Sequence, residues 1–276
     1  MKSIKTMIKT VAFIAALSLV CGSFLIAAPA FAKELSVFAA ASLTESLTRI
    51  AEEYKKIAPE IEIVYNFDSS GTLKTQIEQG AECDIFLSAA QKQMNELDIE
   101  SDPKINTKRL DFVKKGTRFN IVSNKVVLIV PKDRNTKGIG DFKDVVTDKV
   151  SLVALGNSDV PAGQYAEEIY EHLGLWDTLN RMNRITFCSN VKEVVSQVGA
   201  GAADCGVVYS TDAAAAAKSV EIAAKAPAGS HRPIVYPAAV MKSTRLPVEA
   251  AAFADFLRSE EGARIFAQFG FERPAK

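Results

Sequence analysis

The sequence predicts an α/β fold of two lobes, each a mostly parallel sheet flanked by helices, with a ligand cleft between the lobes. From residue 33 onward, short apolar runs alternate with amphipathic stretches of helical period, which is typical of parallel sheets covered by helices. The alternation occurs twice, in stretches of about 90–110 residues, the size of ordinary domains. Several apolar runs also lead directly into residues that start helices, at the strand ends where open sheets bind ligands. We expect residues 33–125 and 230–276 to form lobe I and residues 126–229 to form lobe II.

Residues 1–32 are predicted to be a signal peptide. Three lysines precede an apolar run, Val11–Ala28, and Ala30–Ala32 provides an A-x-A cleavage pattern. The run is long enough for an uncleaved anchor, but the cleavage site favours removal. We expect an exported protein that begins near Lys33 and is periplasmic, or located at the cell surface if Cys21 is lipid-anchored.

The charge balance excludes a nucleic-acid binder. The chain has 33 basic and 33 acidic residues, and removal of residues 1–32 takes away three lysines, which leaves a net charge of about −3. Such a chain has no basic surface for nucleic acid or acidic membranes.

Cysteine and histidine are too sparse to indicate a metal site. Cys83, Cys188 and Cys205 remain after cleavage, at spacings that match no metal motif, and the only histidines are His172 and His231. Cys188 and Cys205 could pair as a disulfide, with buried free thiols as the alternative.

The strands and helices of lobe I follow a simple alternation. In order they are strand Leu35–Ala40, helix Leu43–Ile57, strand Ile61–Phe67, a helix ending at Gln79 after the turn Asp68–Thr72, strand Asp84–Ser88 and helix Gln91–Leu97.

Lobe II repeats the alternation, and the chain then returns to lobe I. The predicted elements are strand Val126–Val130, strand Val150–Leu155, helix Pro161–Leu173, strand Ile185–Cys188, helix Val191–Val198, strand Gly206–Tyr209, helix Ala213–Ala217, strand Ile234–Val240, helix Pro247–Leu257 and helix Glu260–Phe269. Within the last strand, Pro237 suits an edge or a bulge.

The first helix start has the composition of an anion site. Ser42 stands where an N-cap belongs, and Glu45 three residues later completes a capping-box pattern. A strand that ends on a helix start presents free backbone N–H groups and the positive end of the helix dipole. One capping serine alone is weak evidence, because most such serines only cap.

The chain repeats this arrangement in three further turns, Ser69–Gly71, Ser158–Ala162 and Ser189–Val191. Asn190 and Glu193 repeat the capping-box pattern. Together with the hydroxyl of Tyr209, these turns offer N–H and O–H donors without an acceptor. Such a donor set suits a small, fully ionised oxyanion.

At these residues the sequence resembles the periplasmic molybdate-binding proteins of ABC uptake systems, which have the type II periplasmic-binding-protein fold. The matching segments, in family order over essentially the whole mature chain, are Val37–Thr44, Ser69–Leu73, Asp84–Ala89, Val160–Ala166, Leu173–Leu179, Gly206–Tyr209 and Phe269–Phe271. The sequence departs from many relatives at Ala90, where they have an acid, and in its three cysteines.

The resemblance implies the ligand, its donors and the partners. Molybdate or tungstate would be held by the hydroxyls of Ser42, Ser70 and Tyr209 and by the backbone amides of Ala162 and Val191. These residues would contact only the oxyanion oxygens, with no direct metal ligand and no cofactor. The resemblance also implies delivery to a membrane permease of an ABC importer, no enzymatic activity, and a monomer.

Three alternatives accompany this interpretation. An enzyme would need a histidine base near a serine nucleophile, and neither histidine lies in a recognisable elbow motif. A sulfate or phosphate carrier of the same fold is the closer rival, since Asp68 and Asp159 flank two of the turns and could accept a proton from phosphate. A regulator's effector domain is excluded by the export signal. For single residues, Ser42 and Ser70 could simply cap helices, and Trp176 and Phe187 are expected in the core.

Overall fold

The computed structural model describes residues 33–274, so the predicted signal peptide, including Cys21, lies outside the described residues. The ten strands of the described region are β1 (Lys33–Ala40), β2 (Ile61–Asp68), β3 (Ile85–Leu87), β4 (Phe119–Ser123), β5 (Val126–Pro131), β6 (Val153–Gly156), β7 (Ile185–Cys188), β8 (Cys205–Tyr209), β9 (Val220–Lys225) and β10 (Val235–Val240). The nine α-helices of the same region are α1 (Thr44–Tyr54), α2 (Ser70–Glu78), α3 (Gln91–Leu97), α4 (Pro161–His172), α5 (Trp176–Arg181), α6 (Val191–Gly199), α7 (Ser210–Ala215), α8 (Pro247–Arg258) and α9 (Glu260–Gln268). None of these helices combines the length and apolar character needed to cross a membrane.

The strands form two five-stranded sheets, in the orders β2-β1-β3-β10-β4 and β7-β6-β8-β5-β9. In the first sheet β1 is parallel to β2 and β3, and β10 is antiparallel to β3 and β4. In the second, β6 is parallel to β7 and β8, and β5 is antiparallel to β8 and β9. The predicted two-lobed α/β fold is confirmed, and four of the five strands of each sheet run in the same direction. The first sheet uses strands from before residue 124 and after residue 234, and the exact lobe boundaries stay a prediction.

Three elements of the structure were not predicted. Strands β4 and β9 are antiparallel edge strands, and only one residue in each is buried, so neither forms a clear apolar run. Helix α5 is only six residues long, too short for a helical period to stand out. The chain therefore has more antiparallel edge structure than its hydrophobic pattern indicates.

Pro237 lies inside the first sheet, because β10 is flanked by β3 and β4. The register shifts between Tyr236 and Pro237, so the residue occupies a bulge, and the alternative of an edge position is wrong. A bulge tolerates the missing N–H of proline. The carbonyl of Pro237 still accepts a hydrogen bond from the backbone of Ser88.

Two expectations about buried side chains have different outcomes. Phe187 is 56% exposed on β7, an edge strand, so its predicted place in the core is wrong. Trp176 is half-buried and packs against the core.

The three cysteines of the described region are free and buried. Cys188 and Cys205 lie on β7 and β8, on either side of β6 and near its opposite ends. With strands about 4.8 Å apart and a rise of about 3.3 Å per residue, this separation is too large for a disulfide. Of the two alternatives, buried free thiols are therefore correct. Burial raises the pKa of Cys188 to about 11, so its thiol stays protonated and unreactive at neutral pH.

Candidate functional site

The strand register aligns the helix starts of each lobe. In the first sheet Ala40 pairs with Asp68, so the turns that follow β1 and β2 leave the same edge side by side. In the second sheet Gly156 pairs with Cys188, which aligns the turns after β6 and β7 in the same way. All four predicted turns therefore lie at the carboxyl ends of parallel strands, where open α/β sheets form binding sites.

Ser42 is not an N-cap, which corrects the capping-box prediction. It lies within a short 3-10 turn, Ala41–Leu43, and the caps of that turn and of α1 make no side-chain hydrogen bond. Its hydroxyl instead lies 3.0 Å from the hydroxyl of Tyr236. Glu45, the expected partner in the capping box, turns toward Lys192. The Ser42 hydroxyl therefore makes no capping hydrogen bond to its own helix.

Ser70 does not cap either, because the neighbouring serine does. The Ser69 hydroxyl accepts from the backbone N–H of Thr72 as the N-cap of α2. Ser70 is the first residue of that helix and is fully buried. Its Oγ accepts a hydrogen bond of 2.9 Å from the backbone N–H of Ala89. With the acceptor role filled by this contact, the hydroxyl proton remains available for donation.

In the second lobe the candidate donors are backbone groups. Ala162 follows Pro161 in the first turn of α4, and Val191 is the first residue of α6; both are buried. N–H groups in the first turn of a helix have no intrahelical acceptor. The side chain of Asn190 caps α6, as predicted, by accepting from the backbone of the next turn. The capping-box pattern also predicts that the Glu193 carboxylate accepts from the backbone N–H of Asn190. This prediction is wrong, because the carboxylate accepts from the backbone and hydroxyl of Ser189 instead.

Tyr209 ends β8 with a hydroxyl that has no hydrogen-bond partner among residues 33–274. The side chain is 1% exposed. Its ring lies edge-on to that of Tyr236, with centroids 5.8 Å apart, but the two phenols make no hydrogen bond. Burial raises the pKa of Tyr209 well above its ordinary value, so the hydroxyl keeps its proton. A buried hydroxyl without a partner costs about 1–3 kcal/mol, which a ligand oxygen would offset.

Three contacts bring the helix starts of the two lobes together. The backbone N–H of Gly71 donates to the carbonyl of Asp159 at 2.9 Å. The Asn190 amide donates to the Asp68 carboxylate at 3.2 Å. At Gly71, an added Cβ would lie only 2.4 Å from the Asp159 carbonyl oxygen, so only glycine fits this close approach.

The third contact is a charged one, between Lys192 and Glu45. The Lys192 ammonium lies 2.7 Å and 2.8 Å from the two carboxylate oxygens of Glu45, and 3.7 Å from Oδ1 of Asp212. Asp212 is fully buried and accepts from the backbone N–H of Tyr209. Burial raises its pKa to about 6, although the positive charge of Lys192 opposes the shift. Sequence reasoning missed this group because its members lie far apart in the chain.

The two flanking aspartates differ, because the Asp68 carboxylate accepts from protein donors whereas Asp159 is exposed. The Asp68 carboxylate accepts from the Ser69 backbone and from Asn190 through one oxygen. Asp159 contributes its backbone carbonyl to Gly71.

Tyr236 and Asn124 also border the site and were missed. Tyr236 lies on β10 and is fully buried, and Asn124 lies in the crossover from β4 to β5. The side-chain amide of Asn124 donates to the Tyr236 hydroxyl at 3.3 Å. Tyrosine in an apolar strand is indistinguishable from a packing residue in sequence, and a lone asparagine between strands predicts only a turn.

Neither histidine is paired with a candidate serine. Among residues 33–274, the only side-chain hydrogen bond of Ser42 is with Tyr236, and that of Ser70 is with a backbone amide. The same residues contain no cluster of acidic, cysteine or histidine side chains suited to hold a metal ion.

Comparisons with known proteins bear on the family and the fold. Residues 35–272 match the family described as bacterial extracellular solute-binding protein. The molybdate-binding protein of Escherichia coli is 37% identical over 258 residues, covering 90% of this chain and 93% of the relative. That of Haemophilus influenzae is 35% identical over 243 residues, covering 86% and 89%.

Solved structures of solute-binding proteins share the fold of this chain. The periplasmic molybdate-binding protein of Azotobacter vinelandii superposes with a TM-score of 0.73 at 28% identity, covering 87% of this chain and all of the other. The sulfate-binding protein of Mycobacterium tuberculosis superposes with a TM-score of 0.68 at 15% identity, covering 87% and 86%, a likeness of fold alone.

Proposed function

This chain belongs to the family of bacterial extracellular solute-binding proteins, and from that premise we propose that it captures molybdate or tungstate and delivers it to the permease of an ABC importer. The family binds and delivers solutes, so the prediction that the chain is not an enzyme is confirmed. The observation that carries the choice of an oxyanion is the buried Tyr209 hydroxyl, which lacks a partner among the described residues. Its ring lies edge-on to Tyr165 of α4 and to Tyr236 of β10, so the residue lies between elements of the two lobes.

The donor set favours a fully ionised ligand. We propose that Ser42, Ser70 and Tyr209 donate through hydroxyls and that Ala162 and Val191 donate through backbone N–H groups. Charge-assisted hydrogen bonds of this kind are about twice as strong as neutral ones. The converging helix starts add the positive ends of their dipoles.

Phosphate is the less favoured ligand. At neutral pH it retains a proton, which needs an acceptor in the site. Asp68 already accepts from Ser69 and Asn190 through one of its carboxylate oxygens, and the fully buried carboxylate of Asp212 lies 3.7 Å from the Lys192 ammonium. Sulfate has no proton and differs from molybdate mainly in size, and a sulfate-binding protein shares the fold. Sulfate is therefore the alternative that a titration must separate.

Ligand capture would proceed by closure of the lobes. The contacts between Gly71 and Asp159, Asn190 and Asp68, and Lys192 and Glu45 all join helix starts of different sheets. An oxyanion bonded to donors of both lobes binds the closed state more tightly than the open one. That difference in affinity drives the closure.

We propose residues 33–125 with 230–276 as lobe I, residues 126–229 as lobe II, and a monomer that is exported. Lipid attachment through Cys21 would retain it at the cell surface, whereas cleavage after Ala32 would release it.

The test is a calorimetric titration of residues 33–276 with molybdate, tungstate, sulfate and phosphate at neutral pH. We expect one-to-one binding of molybdate and tungstate, with no heat from sulfate or phosphate at the same concentrations. Binding of sulfate alone would instead identify the protein as a sulfate carrier of the same fold. Absence of binding for all four would refute the proposed function.

A further inference from the structure

We propose that Tyr236 and Asn124 are positioning residues that orient the Ser42 hydroxyl as a donor, so that the site discriminates against oxyanions that keep a proton. The inference rests on the proposed function, because it assigns Ser42 to the ligand. It adds two residues, neither among the proposed ligand donors, and gives them a role in selectivity.

The Asn124 side-chain amide determines which atoms donate and which accept in this series of hydrogen bonds. Its Oδ1 lies 2.9 Å from the backbone nitrogen of Lys125, which can only donate. The Ser210 hydroxyl donates to the same oxygen at 3.1 Å. These two contacts identify the other atom of the amide as the nitrogen. Nδ2 lies 2.9 Å from the Thr211 hydroxyl and 3.3 Å from the Tyr236 hydroxyl.

The Asn124 nitrogen has no lone pair to offer, so Tyr236 must accept from it. The single proton of Tyr236 is then directed to its other partner, the Ser42 Oγ at 3.0 Å. Burial raises the pKa of Tyr236 well above its ordinary value, which keeps that proton in place. The Tyr236 side chain is fully buried, so water does not compete for the bond.

Ser42 therefore accepts from Tyr236 and has its own proton free. Its side chain is 5% exposed and makes no other hydrogen bond among the described residues. A fully ionised oxyanion accepts this proton. An oxyanion that presents an O–H here would face a second O–H donor, and burying an unpaired polar group is unfavourable.

The first residue of this hydrogen-bond series, Asn124, lies where the polypeptide crosses from one sheet to the other. Asn124 contacts Ser210 and Thr211 of α7, which follows a strand of the second sheet, and Tyr236 of the first sheet. The orientation of a first-lobe donor is thus set partly by groups of the other lobe.

The decisive variant is Tyr236→Phe, which removes the hydroxyl and keeps the ring that packs edge-on against Tyr209 and Phe271. We expect molybdate affinity to fall about 3- to 30-fold, because Ser42 loses its fixed orientation. We also expect the ratio of molybdate to phosphate affinity, measured by competition, to fall. The matched control is Tyr170→Phe, which removes another buried hydroxyl that lacks a partner among residues 33–274 and should leave both quantities unchanged.

A double-mutant cycle separates positioning from general damage. If Tyr236 acts through Ser42, Tyr236→Phe should change affinity less than about twofold in the Ser42→Ala background. A second variant, Asn124→Asp, replaces the amide donor by an acceptor. Its added negative charge acts on molybdate and hydrogen phosphate alike, so a fall in the affinity ratio reports the reversed hydrogen bond. Thermal melting of each variant verifies that it is folded.

The inference is overturned if Tyr236→Phe weakens binding equally with and without Ser42, or leaves wild-type affinity unchanged. It is equally overturned if the molybdate-to-phosphate ratio stays constant in both variants. Absence of oxyanion binding by the unaltered protein would instead refute the proposed function.

Discussion

The two lobes differ in the kind of donor that we propose for the candidate site. In the first lobe the donors are the hydroxyls of Ser42 and Ser70, and each already has a protein partner, Tyr236 and the backbone of Ala89. In the second lobe they are backbone N–H groups and the Tyr209 hydroxyl, which lacks a partner among the described residues.

The difference indicates a division of roles. First-lobe hydroxyls are oriented before the ligand arrives, because neighbouring groups hold their oxygens. We propose that the second-lobe donors become satisfied when a ligand oxygen reaches them. Substitutions should therefore have unlike effects on stability and affinity in the two lobes.

The largest effect is expected at the contact between the lobes. In Gly71→Ala the new Cβ would lie 2.4 Å from the Asp159 carbonyl oxygen and disturb the hydrogen bond there. We expect molybdate binding to weaken by about 2–4 kcal/mol, with little change in the melting temperature of the ligand-free protein. Calorimetry and thermal melting measure the two quantities. Unaltered affinity would mean that this contact is not needed in the bound state.

Ser70→Ala should weaken binding by about 1–3 kcal/mol, the cost of a lost hydrogen bond to a charged group. It should also lower stability, because the Ala89 N–H loses its acceptor. Ser42→Ala should reduce affinity within the same range. The control is Ser69→Ala, which removes the N-cap of α2 and should lower stability while sparing affinity. Equal affinity losses at Ser69 and Ser70 would contradict the assignment.

Asp212→Asn tests the buried acid of the second lobe. Its pKa of about 6 lies above the ordinary 3.8, so the folded state binds the proton more tightly than the unfolded state. Stability from this group is therefore present at low pH and is lost as pH rises from about 4 to 6. The variant should be more stable than the wild type by on the order of 2 kcal/mol above pH 6 and nearly equal to it near pH 4. Denaturant unfolding at several pH values measures this, and a gain independent of pH would contradict it.

Tyr209→Phe should separate affinity from stability most clearly. Loss of the hydroxyl should weaken molybdate binding by about 1–3 kcal/mol, as for the first-lobe serines. The ligand-free protein should be as stable as the wild type or more stable, because a buried group without a partner is removed. A loss of stability without a loss of affinity would show that the hydroxyl serves the fold.

The smallest effect is expected for Val191→Ala. The proposed donor is the backbone N–H, which the substitution keeps, so affinity should change by less than about 0.5 kcal/mol. Stability should fall modestly, since the side chain is 4% exposed. A tenfold loss of affinity would mean that the side chain, rather than the amide, shapes the site.

The parts of the fold that the sequence could predict are those with strong periodicity. Strand β7 and the start of α6 agree with the predicted Ile185–Cys188 and Val191, because an apolar run meets an asparagine cap there. Edge strands β4 and β9 were not predictable from pattern, since few of their residues are buried.

The candidate site was predictable as far as local chemistry reaches. Helix starts and small polar residues mark the turns, but the pairing of each hydroxyl depends on residues distant in the chain. Ser42 fits a capping box by its spacing to Glu45, yet its partner is Tyr236, 194 positions later. The ion pair of Lys192 with Glu45 likewise depends on how the lobes meet.

A crystal structure of the protein with tungstate would show whether donors of both lobes bind one oxyanion. Anomalous scattering locates the tungsten atom without ambiguity. We expect one anomalous peak in the cleft, with tungstate oxygens within about 3 Å of the Ser42, Ser70 and Tyr209 hydroxyls and of the Ala162 and Val191 nitrogens. A tungstate bound to the donors of one lobe only, or bound outside the cleft, would contradict this expectation.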